Sequence, residues 1–139
     1  AKQGHAIAQY NLGVIYYNGM GVPVDYVEAR KWYGMAAEQG DAESQHVMGV
    51  ICGCYKGTWF DVKELPGIVP DEPAAFEWFK KAAEQGYARA QFFLGSMYCI
   101  GSHEYDLNIG MEWLNKAAEQ GDEDAITWRD VLLDGIDFG

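Results

Sequence analysis

The tripeptide Glu-Gln-Gly preceded by alanine occurs three times, at Ala37 to Gly40, Ala83 to Gly86 and Ala118 to Gly121, and the same frame opens the chain as Ala1-Lys2-Gln3-Gly4. Its glycines stand 36, 46 and 35 residues apart. A period of this size fits one helix pair per unit, and a helix pair buries its apolar face only by stacking on the next pair. The spacing therefore predicts a helical solenoid. It makes binding, rather than chemistry, the leading expectation.

Each unit repeats an internal pattern. The first helix carries Leu12-Gly13 followed by Tyr16, then Met48-Gly49 followed by Cys52, then Leu94-Gly95 followed by Tyr98. Residues four apart share a helical face, and a glycine between them leaves room for a neighbouring helix. The second helix carries Ala29, Trp32 and Ala36, then Ala75, Trp78 and Ala82, then Gly110, Trp113 and Ala117. Large rings set between small residues at this spacing read as core. Asp25, Asp71 and Asp106 stand seven residues before the tryptophans as N-caps, with Glu28 completing a capping box in the first. Gly40, Gly86 and Gly121 can take the left-handed conformation that ends a helix. Together these signals predict helices over 5–18, 25–39, 41–56, 71–85, 87–101, 106–120 and 122–134.

The run Ala8-Gln9, Leu12-Gly13, Tyr16, Gly19, Gly21-Val22, Asp25, Ala29, Trp32-Tyr33 and Ala36 to Gly40 resembles one complete Sel1-like repeat, a relative of the tetratricopeptide repeat. The resemblance covers nearly the whole chain. It implies an all-α fold, a right-handed superhelix of antiparallel helix pairs acting as a non-enzymatic adaptor for other proteins. The units fall at 5–40, 41–86 with an insertion over 55–73, 87–121, and a capping helix over 122–139. Ala1 to Gly4 reads as the last turn of an earlier helix, so a fragment of a longer array is expected, and localisation stays open.

Composition narrows the partner. The 139 residues hold 21 acidic and 10 basic side chains, a formal charge of −11, which repels a phosphate backbone and argues against nucleic acid. The same charge suits a basic protein partner. The apolar stretches are interrupted too often to insert in a membrane. No metal, cofactor or catalytic residue is assigned. His5, His46 and His103 are scattered, and Cys52 and Cys54 lack zinc-knuckle spacing, although His46, Cys52, Cys54 and Cys99 could converge between the second and third units. Cys54 and Cys99 could also both face the groove. The three thiols sit most easily in a reducing compartment. The cysteine-rich branch of the resembling family, which binds or cleaves β-lactams, carries regularly spaced cysteine pairs that are missing here. That enzyme reading is disfavoured. A bacterial immunity protein that neutralises a secreted toxin is the other alternative.

Two surfaces compete for the partner. By analogy with the tetratricopeptide fold, the concave groove is lined from the first helices by Ile7, Tyr10, Val14, Tyr17 and Asn18, by Glu43, His46, Val50 and Cys54, and by Arg89, Phe92, Ser96 and Cys99. Tyr10, Tyr17, Arg89 and Phe92 are the expected anchors, being of types that carry binding energy. The insertion, with Trp59 and Phe60 among Pro66, Pro70 and Pro73, is the rival site, an aromatic loop present in one unit only.

Overall fold

A computed structural model describes the backbone at residues 2–56, 58–100 and 105–138, and side chains at 5–55, 63–100 and 105–134. Among the described residues seven helices follow one another: α1 Lys2–Asn18, α2 Tyr26–Glu38, α3 Ala42–Gly53, α4 Glu72–Glu84, α5 Ala88–Ile100, α6 Leu107–Glu119 and α7 Glu123–Phe138. Each packs on its sequence neighbours, most extensively within the pairs α1/α2, α3/α4 and α5/α6. The fold is an all-α solenoid with one continuous core from Ala29 to Ala125.

Each pair is hinged at one equivalent point. Asp25, Asp71 and Asp106 cap α2, α4 and α6, their carboxylates accepting from the N–H groups of Glu28, Ala74 and Ile109. Their own N–H groups donate back to the first helix, Asp25 to the Tyr16 carbonyl at 2.9 Å, Asp71 to Cys52 at 2.6 Å and Asp106 to Tyr98 at 3.1 Å. These three carbonyls occupy the same register position, so the insertion lengthens the connection without moving the second helix. The reciprocal half of the expected capping box does not form, because the N–H that Glu28 would receive already serves Tyr16.

Within each pair the recurring glycine of the first helix is where the second helix approaches most closely. A Cβ on Gly13 would stand 2.9 Å from the Tyr33 ring, one on Gly49 2.6 Å from the Phe79 ring, and one on Gly95 3.0 Å from Leu114. The fully buried residue is thus the one after each tryptophan. Trp32, Trp78 and Trp113 are only half-buried, at the margin of the apolar arc set by Ala29, Tyr33 and Ala37 and their counterparts. Their outer faces are covered by lysine, with Lys81 4.6 Å from the Trp78 ring and Lys116 4.6 Å from Trp113. The tryptophans are therefore packing residues at the core boundary, not the centre of the core.

The Glu-Gln-Gly signature has its own physical role. Gln85 donates to the Gly40 carbonyl at 2.9 Å and to the Gln45 amide oxygen at 2.8 Å, while buried Gln45 donates to the Ala37 carbonyl at 3.1 Å. One unit later Gln120 donates to Gly86 and to Gln91, both at 2.9 Å, and buried Gln91 donates to Ala83 at 3.2 Å. Gln39 likewise donates to Gln9. This amide ladder satisfies helix-end carbonyls that burial between units would otherwise strand. At the next rung stands Ile126, and Asp130 occupies the glycine position, so α7 carries neither ladder amide nor packing notch.

Two expectations need correction. No helix ends at Gly4 among the described residues, since α1 runs unbroken from Lys2 to Asn18. The insertion is not all loop: Tyr55–Lys56 (β1) pairs antiparallel with Thr58–Val62 (β2), Tyr55 opposite Val62 and Lys56 opposite Thr58. The hairpin starts early because Cys54 ends α3 in a left-handed conformation, φ 55°.

Candidate protein-binding face

The expected groove lies on the first-helix side, and the structure sorts its residues into three groups. Tyr10, Val14, Tyr17 and Val50 are half-buried, and Ile7, Asn18 and Glu43 are exposed. These remain accessible together on α1 and the adjoining turns of α3. The Tyr10 hydroxyl donates to Glu43 at 2.6 Å, and burial together with this bond raises its pKa. Asn18 folds its amide back onto the Val14 carbonyl at 3.0 Å, closing the end of α1.

A second group is withdrawn from the surface. Phe92 and Ser96 are wholly buried, and His46 is 8 % exposed. At the register position shared by Tyr10, His46 and Phe92, the second and third units turn their ring into the interior while Tyr10 of the first stays half-buried. His46 packs among the rings of Phe79, Tyr87 and Phe93, and Phe92 meets Trp128 edge-on. The tetratricopeptide analogy fails at this position because large rings there are more favourably buried between units than left in a groove. Cys54 is also buried, at the foot of the insertion, where its carbonyl accepts from the Lys63 N–H at 2.7 Å. Cys99 packs its sulfur toward Gly110 of α6. All three cysteines are free thiols raised in pKa by burial, Cys99 to about 11, which makes them poor nucleophiles. Among the described residues no three metal-ligating side chains converge.

Arg89 forms the third group. Its guanidinium lies over the Phe92 ring at 4.7 Å and reaches Asp122 at 3.3 Å and Asp124 at 2.8 Å. The expected anchor for a partner is thus a clamp between α5 and the start of α7.

The insertion folds onto this same side. Tyr55, Leu65 and Ile68 are buried, the Tyr55 ring facing Phe79 and Phe93 at 6.0 Å each, and β2 packs on α3 and α5. Lys63 then bridges to the first unit, donating to the Tyr17 hydroxyl at 3.1 Å with its ammonium 5.4 Å from the ring centre. Tyr17 packs edge-on against Tyr26 at its other side. The backbone of Trp59 and Phe60 lies in β2, while their side chains, like His103, lie outside the described residues. Sequence reasoning missed Lys63 and Tyr55, since nothing in a loop's composition says which way it folds.

Two clefts add little chemistry. One of about 540 Å³ is lined by Ala6, Ile7, Gln39, Gly40, Asp41, Ala42 and Gln85, but its glutamines belong to the ladder and Asp41 caps α3. The other, about 450 Å³, lies beneath the insertion between Cys54, Lys63 and residues 64–70.

A ladder of stacked helix pairs with an accessible first-helix face defines a helical-repeat fold. The chain belongs to the Sel1 repeat family, whose model matches residues 6–41, 42–87 and 88–122, the three units described above. Proteins of this family generally mediate protein–protein interaction, and most are not enzymes. A Sel1 repeat protein from Oxalobacter formigenes has the same fold, with a TM-score of 0.76 and 33 % identity over 92 % of this chain and 90 % of its own. A protective antigen of uropathogenic Escherichia coli matches with a TM-score of 0.79 and 30 % identity, over 94 % of this chain and 26 % of the antigen. A chitin synthase regulator of Malassezia restricta is 36 % identical over 75 residues. That stretch is 54 % of this chain and 5 % of the regulator.

Proposed function

We propose that the chain is the protein-binding module of an adaptor and that it engages its partner through the first-helix face of the first unit and the adjoining turn of α3, centred on Tyr10, Val14, Tyr17, Asn18 and Val50. The observation that carries this reading is the contrast along the register. Tyr10 and Tyr17 of the first unit stay partly open, whereas His46 and Phe92, at the register position of Tyr10 in the later units, are closed by packing against neighbouring rings. Tyrosines gathered on a rigid helix suit a hot spot because they bury large area at little entropic cost. The insertion is the margin of this face through Lys63, and Arg89 supports it from within the scaffold.

Photo-crosslinking tests the reading. A photoreactive side chain at Val14 or Val50 should capture a partner that one at Lys81 or Glu119, on the second helices, does not. Against that partner, Tyr10→Ala with Tyr17→Ala should weaken affinity by roughly 2–4 kcal/mol while leaving helical content unchanged. Capture from the second helices alone would reject the assignment.

A further inference from the structure

The exposed apolar residues of this protein are not scattered. Apart from Ile7, Val131 and Leu133, the large apolar side chains exposed among the described residues lie where a first helix turns into its second. Met20, Val24 and Val27 stand there in the first unit, Val69 in the second, and Tyr105 and Ile109 in the third. Val69 is 80 % exposed and Tyr105 70 %. The three capping aspartates set the geometry: Val24, Pro70 and Tyr105 each immediately precede one. Since every cap is hinged to the same carbonyl position of its first helix, the three sites recur once per unit along a single edge. The insertion joins the row rather than interrupting it, for Gly67 abuts Val27 so closely that a Cβ would stand 2.6 Å from its methyl. A periodic apolar row of this kind marks an interaction surface.

The charge along the edge selects the occupant. Asp25, Glu64 and Asp71 are exposed beside the apolar row; of the basic groups near it, half-buried Arg30 lies by Cys52 and Asp71, and Lys63 is already bonded to Tyr17, which leaves the acidic groups in excess. A second copy of a chain with net charge −11 would be repelled, as would an anionic membrane. We infer that this edge is a second interaction surface, separate from the first-helix face, and that it takes a cationic amphipathic segment of a partner protein. Apolar side chains of that segment seat along Val24, Val69 and Tyr105, and its Lys or Arg residues meet the flanking carboxylates.

The test uses the full chain and a labelled synthetic Leu/Lys amphipathic helix of about 18 residues, followed by fluorescence anisotropy. A Lys-only peptide of equal length controls for charge. The combined variant Val24→Ser, Val69→Ser and Tyr105→Ser removes exposed side chains only, and its fold is checked by thermal melting. Binding of the amphipathic peptide should weaken about tenfold or more in this variant. It should fall with added salt and stay unchanged in Tyr10→Ala, at a residue whose ring packs on Tyr33 and whose hydroxyl bonds Glu43 away from this edge. That variant separates the edge from the first-helix face. Equal binding of the Lys-only peptide, unaltered affinity in the triple variant, or no binding at all would overturn the inference. So would self-association of the wild type that the triple variant abolishes, since a second copy would then cover the edge.

Discussion

The Phe79 ring lies directly over Gly49, with three of its carbons within 2.7 Å of where a Cβ on residue 49 would stand. A ring held in a core cannot yield that distance without moving the helix that carries it. Gly49→Ala should therefore destabilise the protein although alanine favours helix by about 1 kcal/mol, because overpacking costs about 1–3 kcal/mol and acts on the two helices together. Gly34→Ala is the internal control. Its nearest neighbour is the Met48 methyl at 3.6 Å, so the helix preference should prevail and chemical denaturation should show a gain of up to about 1 kcal/mol.

Residues 78 and 79 should separate clearly in a stability assay. Phe79 is wholly buried, and Phe79→Ala should cost about 3–5 kcal/mol. Half-buried Trp78 loses less area on truncation, so Trp78→Ala should cost about 1–3 kcal/mol. Equal losses at both positions would place the indole in the core after all.

The amide ladder predicts a coupling between units. Gln91→Leu leaves the buried Ala83 carbonyl without its partner and removes the acceptor of one Gln120 amide proton at the edge of the interface, at a cost of about 1–3 kcal/mol. Because solenoid cooperativity resides in such interfaces, denaturation followed at separate probes in the second and third units should lose coincidence in this variant. A single coincident transition at undiminished stability would remove the ladder from the interface energetics.

His46 makes stability depend on pH. Burial, reinforced by the positive charge of Arg89, lowers its pKa from the ordinary 6.5 to about 3, and its Nδ1 has no hydrogen-bond partner. Between these values the unfolded chain binds a proton that the folded chain refuses. The stability is therefore complete above about pH 6.5 and is lost as the pH falls toward 3, by at most about 1.4 kcal/mol per unit from this group. His46→Phe places at this position the ring that Phe92 already supplies one unit later. Urea denaturation at a series of pH values should show a shallower acid loss in the variant, and parallel curves would reject the assignment.

Arg89→Met should loosen α7. The pairs with Asp122 and Asp124 are partly exposed and worth no more than about 1 kcal/mol to global stability. Their effect should instead be local, as faster amide exchange over residues 123–134 with α3 and α4 unchanged. Protection that stays unaltered in α7 would show that Trp128 and Ala125 hold it without the ion pairs.

What the sequence determined by itself was everything that repeats. Helix identity, the three units, the capping aspartates and the turn glycines were legible because each is a local preference written three times, and agreement between copies filters out accident. The glycine before Val14 announced a close contact, but not that Tyr33 would fill it, nor that Phe79, rather than Trp78, would do so one unit later. Adjacent residues on a helix differ by about 100° in direction, and which of them faces the core depends on where the partner helix sits. The face of Tyr10, His46 and Phe92 was undecidable for the same reason: one register position is surface in the first unit and interior in the next two. The insertion went furthest beyond local signals. Its prolines ruled out a continuous helix, whereas its course over α3 and α5 and the bond from Lys63 to Tyr17 join residues 46 positions apart, a pairing that exists only once the helices between them have stacked.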